Sequence, residues 1–212
     1  MNKRLYKQGL KWVMKVVSIL YPYRTSQWLK GKKTLLYTLW IRNAIGKLGQ
    51  GSSIASPCML QGGGLKRLTI GGRTRIGAHA VIELWNKFGK EQYTPEITIG
   101  NDCNIGEYCH ISAINKITIG NGLLTGRFVY IGDNGHGGLS IEEAVLPPDQ
   151  RTLTSKGPIV IGDNVWLGDK VMILGGVTIG DNVIIGAHSV VTQSVPSNSM
   201  WGGIPAKEIK SL

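Results

Sequence analysis

Residues 161–196 read IGDNVW, LGDKVM, ILGGVT, IGDNVI, IGAHSV, VTQSVP, with an aliphatic residue at 161, 167, 173, 179, 185 and 191. Earlier copies of the six-residue unit begin at Ile70, Ile76 and Ile82, at Ile99, Ile105 and Ile111, and at Ile119, Thr125 and Ile131. A period of six is neither helical nor that of a plain strand. Two residues before each aliphatic position stands another small or aliphatic one, such as Val165, Val177 or Val183, which is the alternation of a short strand with one buried face. After it come glycine, a polar residue, and then Asn164, Asn182, Asp102, Gly122, Gly176, His79 or His188, types that tolerate a left-handed backbone. Strand and sharp corner in alternation describe a chain coiled round a narrow apolar core, each coil stacked on the next. The expectation is an all-β parallel helix over 68–195; with three units to a coil, about fifteen units make about five coils.

Composition agrees with that reading. The chain has 212 residues, 42% of them hydrophobic, with 30 glycines and only 2 phenylalanines. No Gly-X-Y period is present, so the glycines serve turns rather than a collagen helix. Three cysteines, Cys58, Cys103 and Cys109, are an odd and sparse set that suits a reducing, cytoplasmic compartment better than a disulfide framework. Cys103 and Cys109 share the inward position of Val165 and Val183 and read as small core residues.

The formal charge of +11 is concentrated at one end: residues 1–82 hold 15 Lys or Arg and no acid, whereas 83–212 hold 9 basic and 13 acidic residues. Arg4, Lys7, Lys11 and Lys15 recur on one side of a helical projection, with Tyr6, Leu10, Val13, Val17 and Leu20 on the other. Residues 1–67 are therefore expected to form a basic helical region and a lead-in to the first coil. The apolar run is broken by Lys15 and falls short of the ~18 to 20 residues of a membrane span, so it reads as retained and non-spanning. The plainer expectation for such a helix is packing on its own protein with its lysines in water; it also suits peripheral contact with an anionic membrane, through residues 1–47, at the inner face of the cell membrane, and both can hold at once. No nucleic-acid reading motif accompanies the charge.

The repeat is interrupted at 83–96 and 132–158, and interruptions of a scaffold are where function concentrates. The second opens with YIGDNGHGG, residues 130–138. Counting on from Ile131 puts Asn134 at the corner and His136 where an outward side chain would stand, with Gly135, Gly137 and Gly138 leaving the ring accessible. A histidine of ordinary pKa ~6.5 left accessible in this way suits a general base, and positioned proton transfer is worth about 10² to 10⁴ in rate. His79 and His188 occupy corner positions and read as turn residues, while His110 lies at an outward strand position where it could meet substrate.

The units IGDNVW, IGDNVI and IGAHSV, the closing IPAK at 204–207 and the loop histidine together resemble the hexapeptide-repeat acyltransferases, in the branch of galactoside, maltose and polysaccharide O-acetyltransferases; the resemblance covers roughly 68–212. It implies a left-handed parallel β-helix, a homotrimer with its sites between subunits, acetyl-coenzyme A as donor with no metal, and His136 as general base. It places Tyr108 where the family carries an acceptor-binding asparagine, and it leads the coenzyme along Asp169, Ala187, Thr192 and Gln193 to Lys207 and Lys210 on a short capping helix in 196–212. Asp133 or a backbone carbonyl is expected to orient the imidazole, and Asn134 to lie beside the acceptor. The implied reaction is O-acetylation of a sugar in surface polysaccharide or lipid-linked glycan assembly.

Competing classes fare less well. A zinc hydratase on the same coil needs three converging histidines, and the nearest two that could pair, His110 and His136, stand 26 residues apart. A non-enzymatic coil with one flat repetitive face would rank a single residue type outward, whereas Trp166, Met172, Thr178, Ile184 and Val190 stand there. N-acetylation of an amino sugar or another small acceptor stays open.

Overall fold

The computed structural model describes residues 3–138 and 140–211. Two helices, α1 (Lys3–Leu20) and α2 (Tyr23–Ile41), lead into a triangular coil of three parallel sheets. The first strand of each coil stacks on the first strand of the next, so Leu48, Ile70, Ile99, Ile119, Ile161 and Ile179 form one file. Leu60, Ile82, Ile111, Ile131, Ile173 and Val191 form the file of the third sheet. All of these are buried except Leu60, which is half-buried against them, and the files meet in one continuous core.

Among the described residues six coils are present rather than five, because the winding starts at Lys47–Leu48 and not at 68. Leu48, Ile54 and Leu60 keep the six-residue spacing there. This coil lacks the Ile-Gly-Asp signature, with Gly51 and Pro57 at its corners, and so was hidden among lead-in residues. The open end of its core is closed by the last turns of α2. Thr38 Oγ1 accepts from Ile54 N at 3.0 Å, and Ile41 and Ile45 join the core.

Every corner assigned to a left-handed residue is one: Asn164, Asn182, Asp102, His79, His188, Gly122 and Gly176 have φ between 55° and 81°. Arg73, Tyr108, Phe128 and Lys170 also adopt φ of 55–60°, a conformation their side chains do not favour and the stacked coils impose. The polar residue after glycine has its own work. Asn101 N donates to Asn121 Oδ1, Asn121 N to Asp163 Oδ1, and Asp163 N to Asp181 Oδ1, at 2.6–2.9 Å, so each corner side chain satisfies a backbone donor of the coil before it. Inward Thr125 is satisfied in the same way, accepting from Gly106 N at 2.8 Å.

Among the described residues, 196–211 carry no capping helix. Ser199–Gly203 continues the second sheet, and Ala206–Ser211 folds back antiparallel along it. A returning strand occupies hydrogen-bonding groups that would otherwise end the sheet, with Ile209 laid across Gly202, and this pairing overrides local helical preference.

Candidate active site

The two interruptions leave the coil at the third sheet and meet outside it. The first forms a hairpin, Lys87–Phe88 against Glu91–Gln92. The second forms a ribbon, Asn134–His136 against Leu153–Ser155, with the short helix α3 (Ile141–Ala144) at its tip. Tyr93 joins them: its hydroxyl donates to Leu153 O at 3.0 Å and accepts from Leu153 N at 3.1 Å, and Leu153 lies directly opposite His136.

Between them lies a cavity of about 410 Å³ lined by Glu83, Trp85, Phe88, His110, Ser112, Tyr130, Asn134, Gly135, His136 and Leu153. His136 is exposed, and its ring meets Phe88 edge-on with centroids 5.3 Å apart. Open space surrounds Gly135, whereas side chains at Gly137 and Gly138 would collide with Arg151 and Glu143 of the same excursion. Only the first of the three glycines thus keeps the imidazole's surroundings bare; the other two let the loop pack.

On the opposite wall, His110 Nε2 lies 3.0 Å from Glu83 Oε2, an oxygen that also accepts from Trp85 Nε1 at 3.1 Å. The Tyr130 ring stands edge-on to His110, and burial raises the tyrosine's pKa, with the Asp133 and Glu83 carboxylates adding to the rise. Asn134 Nδ2 donates to Ser112 O at 3.0 Å, fixing the ribbon to the third sheet.

Asp133 does not orient the imidazole. Its carboxylate is buried and accepts from Ile114 N at 2.9 Å and Asn115 N at 3.0 Å, so it ties the ribbon's root to the neighbouring corner instead of turning toward a substrate. Burial raises its pKa, opposed by these hydrogen bonds. Tyr108 is not brought to the cavity. It stands on the corner between the second and third sheets, stacked between His79 at 4.6 Å and Phe128 at 4.9 Å.

Six cavity residues were not singled out from sequence: Glu83, Trp85, Phe88, Ser112, Tyr130 and Leu153. The register held a signal for three of them. Glu83 and Ser112 each follow an inward residue of the third sheet and are direct partners across coils, and Tyr130 partners His110.

A second concavity, about 380 Å³, runs along the outer face of the second sheet and its following corner, lined by Gly126, Trp166, Gly168, Asp169, Ile184, Ile185, Gly186, Ala187 and Met200. Asp169 and Ala187 are therefore in one groove; a side chain at Gly126 would run into Asp169 and one at Gly168 into Ala187, so these glycines let successive coils stack. Lys207 and Lys210 lie on the terminal strand, opposite Gly202 and Met200. Thr192 and Gln193 are exposed on a different corner, beyond Val191. No described residue lines both concavities.

Residues 158–193 match the family described as bacterial transferase hexapeptide (six repeats). Over 136 residues the chain is 31% identical to a putative colanic acid biosynthesis acetyltransferase, WcaF, of Escherichia coli K12, an alignment covering 64% of this chain and 68% of that protein. The chain belongs to the hexapeptide-repeat acyltransferase family. Its coil is accordingly the left-handed β-helix of that family. It is also 41% identical over 118 residues to WbbJ of the same organism, a putative lipopolysaccharide biosynthesis O-acetyl transferase, covering 54% of this chain. The chain spans about three fifths of that relative's length, 60%. Among solved structures, a hexapeptide-repeat acetyltransferase of Vibrio cholerae O1 biovar eltor, complexed with acetyl-coenzyme A, superposes with a TM-score of 0.52 at 27% identity, covering 81% of this chain and 73% of the other.

Proposed function

We propose that this protein transfers an acetyl group from acetyl-coenzyme A to a hydroxyl of a sugar in surface polysaccharide or lipid-linked glycan assembly, with His136 as general base. The observation that carries this reading is the convergence of His136, the His110–Glu83 pair and three aromatic walls, Trp85, Phe88 and Tyr130, on one cavity. Aromatic faces suit the apolar faces of a pyranose ring, and His110, Ser112 and Asn134 offer hydrogen bonds to its hydroxyls. The naming of WbbJ and WcaF as polysaccharide-assembly transferases supports that acceptor class.

The groove on the second sheet fits the donor. Trp166, Ile184 and Met200 supply apolar contact, and Lys207 and Lys210 supply cations for phosphates at one end. Bound there, the coenzyme supplies the acetyl thioester. His136 takes the proton from the attacking hydroxyl as the new C–O bond forms, and returns it to the departing thiolate as the C–S bond breaks. The cavity and the groove lie on different faces of one coil, so a neighbouring copy is the natural source of the second half of the site; a homotrimer repeats that pairing three times. The same reading places the enzyme in the cytoplasm, where the donor is made.

Release of free thiol from acetyl-coenzyme A in the presence of a sugar acceptor tests the reading. His136→Ala is expected to lower kcat by about 10² to 10⁴ with no change in Tm, and undiminished turnover in that variant would sink it.

A further inference from the structure

Helix α1 buries none of its residues, so it is not packed on its own coil. At about 100° per residue, Lys3, Arg4, Lys7, Lys11 and Lys15 fall within a sector of roughly 120°, and the opposite half is continuously apolar from end to end. Leu5 is 65% exposed, Trp12 69%, Ile19 68% and Leu20 78%. Monomeric soluble proteins rarely leave such a surface to water. The helix is about 27 Å long by its residue count, and no helix among the described residues is long and apolar enough to cross a membrane.

We propose that α1 lies in the plane of an anionic membrane surface, its apolar half in the boundary between headgroups and acyl chains and its lysines against lipid phosphates. Charge selects this occupant. Residues 1–82 contain no acid, so a second copy of the same region would set cations against cations, whereas an anionic lipid surface presents both phases that the helix displays along its whole length. The far end of α2 is fastened to the first coil through Thr38 and Ile41, so a membrane-bound α1 holds the coil by its first turn. The inference is independent of the acyl-transfer reading, because it rests on the helix alone.

Co-sedimentation of the full chain with vesicles decides it. Binding to phosphatidylcholine containing about 30% phosphatidylglycerol should exceed binding to phosphatidylcholine alone by roughly tenfold or more, and weaken as salt is raised. Joint Lys7→Glu, Lys11→Glu and Lys15→Glu substitution should remove that excess, and Trp12→Asp should weaken binding to the same vesicles, both with thermal unfolding of the coil unchanged. Failure to sediment with either vesicle, or charge reversal without effect, would overturn the proposal. So would substitutions in α1 that change the oligomeric state and leave lipid binding alone, which would make a second copy the occupant.

Discussion

The coil and the excursion at 133–158 are held in place by different means. In the coil each inward side chain lies between its equivalents above and below, and Ile82, Ile111, Ile131 and Ile173 are at most 1% exposed. The excursion buries little besides Leu153; Ile141 at its tip is 81% exposed and Val145 76%. It is fastened at a few points instead: Asp133 to Ile114 and Asn115, Asn134 to Ser112, and Tyr93 to Leu153. The region that carries the candidate base thus has almost no core of its own and takes its geometry from hydrogen bonds to a rigid neighbour. Stability and site geometry are therefore separable, and substitutions should divide into two groups.

The largest effect on stability belongs to the coil. Ile111→Ala removes a side chain packed at the centre of the third file and should cost about 2–5 kcal/mol, read as a lower denaturation midpoint. An effect below 1 kcal/mol on the same scale as surface substitutions would break the contrast. Tyr93→Phe should act in the opposite sense. It removes both hydrogen bonds to Leu153, worth about 1 kcal/mol each to a strand that is locally, not globally, stabilised. Hydrogen exchange at 134–136 should rise and kcat fall severalfold, with the global midpoint almost unchanged. The smallest effect concerns the cysteines. Burial pushes the Cys58 thiol up to about 12 and raises Cys103 and Cys109 as well, so thiolate is scarce at pH 8 in the folded state. Titration with a thiol reagent should find all three slow until the coil unfolds, and a rapid phase from any one would show the coil opening locally.

Legibility from sequence follows the same division. A side chain in the coil is fixed by its position modulo six, which is why the inward files, the left-handed corners and the burial of Cys103 and Cys109 could be read from spacing alone. The reading weakened where the signature residues were absent, as in the coil at 47–61. It went wrong where chain pairing rather than periodicity decided, as in the terminal strand Ala206–Ser211. In the site, His136, His110 and Asn134 were legible because each has a definite place in the register. Trp85, Phe88 and Leu153 were not, because they reach the cavity only through the meeting of two excursions sixty residues apart, a contact fastened by Tyr93 and Leu153. Asp133 and Tyr108 stand apart from the cavity for a related reason. Both have side chains suited to substrate, but stacked neighbours engage them first: two backbone donors in one case, His79 and Phe128 in the other.

What the sequence by itself determined is the coil, since a hydrophobic residue every six positions with a corner between admits few compact solutions other than stacked turns. It also determined the concentration of positive charge at one end. Only the tertiary structure decided which side chains share the cavity, that the cavity and the second-sheet groove lie on separate faces, and that α1 is left uncovered. Periodicity reports which way a residue faces within its own turn; it carries no information about how irregular segments from different turns approach one another, and that approach is set by a handful of hydrogen bonds across long stretches of chain.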